Sequence, residues 1–185
     1  MTTFNRLCRA GDFVKGHDKV IDIGCGTGHL MVPFLKAGVH VDGFDIASKM
    51  VEVAKQRLQR SGFYTSDILV VDDYTSLARG EYALGMMNFV QGCCPNKKSL
   101  QNLFTQANHP LRMGGKLIVT GAHPENLHIK HSACEYDVAN GATLKDGAVV
   151  KGRLFDAEGT ESYELTGGYI SVSYTHLTLP TNREV

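Results

Sequence analysis

The sequence predicts an α/β fold: a parallel sheet with helices on both faces, followed by a small antiparallel β insertion. Three observations lead there. Strand and helix patterns alternate five times between Lys19 and Thr120, which is the signature of a covered parallel sheet. The first strand runs into a glycine cluster, Gly24-Cys25-Gly26-Thr27-Gly28. After Thr120 the pattern changes to short alternating stretches separated by glycine-containing turns, which are hairpin signals.

Taken in order, Lys19–Ile23 is a short apolar run and reads as a buried strand. His29 to Lys36 places Leu30, Met31, Phe34 and Leu35 at helical spacing, with Pro33 near its first turn and Gly38 as its stop. Val39–Phe44 is a second strand, closed by Asp45. Ser48 then suits an N-cap, with Met50, Val51, Ala54 and Leu58 on one helix face and Gly62 at the end. Ile68–Val71 and Tyr82–Val90 are the third and fourth strands, the latter continuous enough to be central. Leu100 to Leu111 is expected to be helical, with Met113-Gly114-Gly115 turning into a fifth strand, Lys116–Thr120.

The 185 residues suffice for one domain with a substantial core. Nineteen Lys and Arg balance nineteen Asp and Glu, so no net field draws nucleic acid or an anionic membrane. Five cysteines without C-x-x-C spacing point away from a disulfide framework and toward a reducing, cytoplasmic compartment. No apolar run approaches the roughly 20 residues of a membrane span. Met1 to Ala10 lacks the apolar core of a signal peptide.

Asp22-Ile-Gly24-Cys-Gly26-Thr-Gly28 fits D-x-G-x-G-x-G between a strand and a helix. Glycines there let the backbone approach a ligand closely. A dinucleotide fingerprint, G-x-G-x-x-G, would need its third glycine where His29 stands. The spacing therefore disfavours a nicotinamide oxidoreductase and favours a ligand without a pyrophosphate. Asp45 ends the second strand, where ligands of open α/β sheets bind. Its carboxylate can accept hydrogen bonds from both ribose hydroxyls and would repel a 2′-phosphate.

Val20–Gly28, Val41–Met50 and Leu111–Val119 together resemble, in order and spacing, the motifs of class I S-adenosylmethionine-dependent methyltransferases of the small-molecule type. The resemblance covers about Lys19 to Pro124. It implies a Rossmann-like sheet, S-adenosylmethionine as cofactor and methyl transfer to N or O of a small molecule. Asp22, Gly24, Cys25, Gly26 and Gly28 would hold the methionine end. Asp45 would bind the ribose, Ile46 and Met50 would pack on the adenine, and Asp72 or Asp73 would meet its amino group. Asn88 and Phe89 would line the pocket near the methyl. Two departures bear on the acceptor. Many members carry an acidic residue early in the fourth strand, where this chain has Tyr82-Ala83-Leu84. The N-P-P-Y signature of amino-group methyltransferases is replaced by Asn88-Phe-Val-Gln91, which argues against nucleic-acid or protein-amide acceptors. A rival from another class is a module that binds the cofactor without turnover.

His123, just after the fifth strand, is the candidate general base or acceptor-orienting residue; the more ordinary reading is a loop histidine setting a turn before Pro124. The spacing of His123, His128, His131 and Cys134 matches no common zinc pattern, so no metal is expected. Cys93-Cys94 reads as a loop pair, because vicinal cysteines bridge only with strain. These features divide the chain into a cofactor-binding core at 1–124, a β-rich insertion and candidate substrate cover at 125–171, and a tail at 172–185. Val172 to Thr181 resembles one reading frame of a transposon mosaic-end sequencing adapter, and Asn182 to Val185 its translated index. The tail is accordingly excluded from fold reasoning, and the family's final helix and two strands are expected to be missing.

Overall fold

The computed structural model describes residues 18–64, 67–121, 127–130, 134–139, 141–145, 148–155 and 160–170. His123, His131 and the tail at 172–185 lie outside the described residues, as do the expected turns at Asp146-Gly147 and Glu158-Gly159. Among the described residues the chain forms two compact units, one of residues 18–88 and 104–119, the other of 89–103 and 120–170.

The first unit is built on strands β1 (Lys19–Ile23), β2 (His40–Asp45), β3 (Ile68–Val70), β4 (Tyr82–Asn88) and β5 (Leu111–Thr120). They lie in the order β3-β2-β1-β4-β5. β1 pairs with β2 and β4 in parallel, as β2 does with β3. The β4–β5 bonds, Tyr82 N–H to Pro110 O and Phe89 N–H to Thr120 O, advance in the same direction along both strands. Both faces must therefore be covered. Val20, Ile21 and Ile23 are fully buried in β1, and Leu84, Met86 and Met87 are buried in β4.

Helix α1 (Met31–Lys36) buries Met31, Phe34 and Leu35, the i, i+3, i+4 set that defines one face. It stops where Gly38 turns left-handed at φ 78°. Helix α2 (Ser48–Arg60) buries Val51, Ala54 and Leu58 and ends at Gly62, φ 82°. These faces join Val20, Val41, Leu84 and Met86 in one core cluster. Helix α3 (Lys97–Asn108) precedes β5.

The structure corrects several boundaries. Ser48 is the first helical residue of α2 rather than its cap, and Asp45 Oδ1 instead accepts the Ala47 N–H at 2.9 Å. Met50 does not share the buried face; it is 45% exposed, because at 100° per residue it leads Val51 toward solvent. β4 stops at Asn88, where Phe89 takes φ 59°. α3 lies a turn earlier than expected, since Pro110 ends the helical region and its carbonyl already pairs with Tyr82. β5 consequently starts at Leu111, and Gly114, at φ 72°, sits inside it rather than before it.

At Tyr82 the missing acidic residue has a physical counterpart. Asp42 of β2 is buried, and its carboxylate accepts from the Tyr82 hydroxyl at 3.0 Å, His40 Nε2 at 2.9 Å and the Asp67 N–H at 2.9 Å. Burial and the Asp42 charge together raise the Tyr82 phenol well above its ordinary range, so it stays a donor. A buried carboxylate is tolerable only when its lone pairs are met this way.

In the second unit, β6 (Cys134–Tyr136), β7 (Ala148–Phe155) and β8 (Glu161–Ile170) form an antiparallel sheet in that order. Gly167-Gly168, expected as a turn, lies within β8, where Gly168 pairs with Val150 beside a register irregularity. No described helix is long and apolar enough to cross a membrane.

Candidate active site

Of the expected cofactor residues of the first unit, the glycine loop and Asp45 lie at the carboxyl ends of β1 and β2, Asp72 and Asp73 follow β3, and Asn88 ends β4. Gly24, Gly26 and Gly28 all have positive φ, at 67°, 53° and 70°, a conformation side chains resist. Each turn of this loop is pinned to its surroundings. The Gly24 and Cys25 N–H groups donate to Phe44 O at 2.8 and 3.1 Å, and the Gly28 N–H donates to Cys25 O at 2.9 Å. The Gly26 N–H donates to Asp45 Oδ2 at 2.8 Å. Among the described residues a Cβ on Gly26 would meet nothing within 4 Å, whereas one on Gly28 would press on Ala54 and Leu58 of α2 at 3.1 and 3.2 Å. Gly26 thus faces open space, and Gly28 is a packing glycine.

Asp45 bridges the loop and the start of α2 through its two oxygens. Each carboxylate oxygen has two lone pairs, so both retain acceptor capacity for a ligand. Asp22 lies beneath, 2% exposed. Burial, with the Asp45 charge as a second cause, pushes its carboxyl up to about 7. The same burial, reinforced by both aspartates, pushes the Cys25 thiol up to about 12, which makes it an inert packing group rather than a nucleophile.

Around this centre, Ile46 is 70% exposed and Met50 45%, so two large apolar side chains stand uncovered beside Asp45. Asp72 and Asp73, after β3, are both exposed. They differ in engagement: Asp73 Oδ1 accepts from the Thr75 N–H at 2.9 Å and its hydroxyl at 2.7 Å, which hold the single-turn 3-10 helix Tyr74–Ser76 and lower the Asp73 pKa. Asn88 ends β4, directly after the Ile23↔Met87 pair, and its buried Nδ2 has no hydrogen-bond partner among the described residues. Phe89, the first residue of the second unit, is 59% exposed.

Sequence reasoning missed three residues. Tyr74 is 6% exposed, and burial followed by the Asp45 charge pushes its phenol up to about 12, against a backbone hydrogen bond from Gly24. Its one sequence signal is an aromatic residue directly after paired aspartates. Arg57 of α2 donates from Nη1 to the Thr27 carbonyl and hydroxyl; nothing in a helical pattern marks that. Gln91, in the second unit, is 4% exposed and donates to Thr120 O at 2.8 Å, while its Oε1 has no partner among the described residues. Among the described residues, no group of three or more His, Cys, Asp or Glu is placed to hold a metal.

A methyltransferase-domain family matches residues 20–115, just over half of the chain. Over 115 residues the chain is 27% identical to a demethylmenaquinone methyltransferase of Tropheryma whipplei (strain Twist), covering 62% of this chain and 46% of that protein. Over 80 residues it is 34% identical to a ribosomal protein L11 methyltransferase of Thermotoga neapolitana (strain ATCC 49049 / DSM 4359 / NBRC 107923 / NS-E), covering 42% and 29%. The chain thus spans less than half the length of these curated relatives. The solved structure of an S-adenosylmethionine-dependent methyltransferase from Clostridium acetobutylicum ATCC 824 superposes with a TM-score of 0.59 at 17% identity, covering 89% of this chain and 71% of that one. At that identity the likeness speaks for the fold alone.

Proposed function

We propose, on the premise that this chain belongs to the methyltransferase-domain family, that it binds S-adenosylmethionine and transfers a methyl group to N or O of a small molecule. The observation that carries this reading is the left-handed glycine loop held against Asp45, with Gly26 facing open space.

The residues fit the cofactor's chemistry. Asp45 keeps lone pairs for two ribose hydroxyls, and exposed Ile46 and Met50 offer an apolar cover for adenine. Asp72 or Asp73 would accept from its amino group, Asp73 through the oxygen that Thr75 leaves free. Asp22, Gly24, Cys25, Gly26 and Gly28 would take the methionine end, where Asp22 opposes the ammonium. Asn88 Nδ2, without a partner among the described residues, would serve as a donor to the cofactor, and Phe89 would flank the methyl. When bound, the cofactor supplies an electrophilic methyl on a sulfonium.

This chain's own residues then align and shield. In-line displacement disperses charge, so alignment and exclusion of water supply much of the acceleration. His123, as general base, would take the proton of a protonated acceptor. The cofactor-binding core would be 1–124, and the segment at 125–171 would serve as a substrate cover. The small-molecule reading is supported by charge balance and by the absence of N-P-P-Y. One relative's name points the same way, while another names a ribosomal protein. The cysteine usage supports a cytoplasmic setting.

The test is incubation with methyl-labelled S-adenosylmethionine and a fractionated cell extract. The proposal expects label on a heteroatom in the low-molecular-mass fraction. Label confined to protein or nucleic acid would overturn the acceptor class.

A further inference from the structure

Glycines at 24, 26 and 28 give the loop its shape but no stiffness, because glycine loses more conformational freedom on ordering than any other residue. A loop of this kind binds well only if other contacts order it beforehand. Thr27 stands between the two left-handed glycines Gly26 and Gly28. Its carbonyl and hydroxyl accept from Arg57 Nη1 at 2.7 and 2.5 Å. On the same helix, Ala54, about one turn before Arg57, and Leu58, directly after it, pack under Gly28. The far end of the loop is therefore gripped by a half-buried guanidinium and a small apolar seat, thirty residues along the chain.

We infer that Arg57 is a positioning residue for the cofactor: through Thr27 it holds the glycine loop in the shape that receives the amino-acid end. The inference rests on the proposed function, which assigns the methionine end to this loop. Two structural points give it direction. Asp45 and the Phe44 carbonyl hold the near side of the loop, at Gly24, Cys25 and Gly26, so the ribose contact does not depend on Arg57. Met50 lies two turns before Arg57 on α2 and near the helix start, so the adenine cover is likewise independent of it. Loss of the Arg57–Thr27 link should therefore loosen only the far side of the loop.

That asymmetry can be read with two ligands sharing an adenosine. S-adenosylhomocysteine carries the amino-acid end; 5′-methylthioadenosine lacks it. Titration calorimetry on the full chain should show Arg57→Met weakening S-adenosylhomocysteine about 10- to 150-fold, the range of a charge-assisted hydrogen bond. Methylthioadenosine affinity should stay within about twofold. Arg57→Lys, which restores a charged donor without the planar fork, should recover part of the loss. Thr27→Val, which keeps the carbonyl and removes the hydroxyl, should fall between parent and Arg57→Met. If Arg57→Met folds poorly, Thr27→Val alone carries the comparison, since it exchanges only one half-buried hydroxyl for a methyl group of similar size. Equal weakening of both ligands, or of neither, would overturn the inference while leaving the cofactor reading intact. Failure of the unaltered chain to bind S-adenosylhomocysteine would overturn the cofactor reading itself, and this inference with it.

Discussion

Replacing Asp22 with Asn should make the protein more stable and less able to bind its cofactor. In an unfolded chain this carboxyl titrates near 3.8, whereas in the fold burial and then Asp45 push it up to about 7. A carboxyl whose pKa is raised by folding favours the fold most at low pH. As pH rises above 3.8 the unfolded chain loses its proton while the folded chain keeps it, so stability falls until about pH 7. Each pH unit is worth about 1.4 kcal/mol. Between pH 5 and pH 8 the parent should lose about 3 kcal/mol through this one group, and Asp22→Asn should lose none of it. Urea unfolding at the two pH values reads the difference directly. The cost of ionising Asp22 is repaid when a ligand ammonium neutralises it, so S-adenosylhomocysteine affinity should climb between pH 5.5 and 7 and then level. Asp22→Asn should abolish the climb. A variant whose stability relative to the parent is the same at pH 5 and pH 8 would refute the argument, because the buried carboxylate would then carry no ionisation penalty.

Three further outcomes are expected. Gly43→Ala places a Cβ 2.7 Å from Met31 Sδ and 3.0 Å from Cys25 Sγ; Met31 can give way in part, so the loss should be about 1–3 kcal/mol in chemical denaturation. Tyr82→Phe removes one of three donors from buried Asp42 and should cost about 1–3 kcal/mol, with S-adenosylhomocysteine affinity unchanged. Once the acceptor is identified, His123→Ala should lower turnover about 10²–10⁴-fold with the loss shrinking as pH rises; a modest, pH-independent effect would leave alignment as the mechanism.

Much of the first unit was legible in the sequence because its rules are local. β1 is a buried apolar run, and Gly38 and Gly62 stop α1 and α2 with the left-handed φ that glycine permits. The D-x-G-x-G-x-G spacing marked the loop, and the end of β2 marked Asp45. What stayed hidden depends on partners distant in sequence. Nothing near Leu111 reveals that Pro110 pairs with Tyr82, so the glycine pair alone places the start of β5 at Lys116, five residues late. Met50 fits an apolar stripe as well as Val51 does, and only the packing of α2 separates a core residue from an exposed one. Arg57 on an exposed-looking helix and Gln91 among loop residues carry no periodic signal; their roles come from Thr27 and Thr120, about thirty positions away. The Asp42 pairing with Tyr82 is of the same kind, forty residues apart.

The central claim is that the β1–β2 tip is a site for an adenosyl amino acid, and calorimetric titration of the full chain tests it most directly. The account predicts saturable one-to-one binding of S-adenosylhomocysteine and no binding of NADH. It also predicts that Asp45→Ala weakens S-adenosylhomocysteine by about 1–3 kcal/mol, the cost of leaving ribose hydroxyls without their acceptor. Binding of NADH with none of S-adenosylhomocysteine, or an Asp45→Ala chain of undiminished affinity, would contradict it.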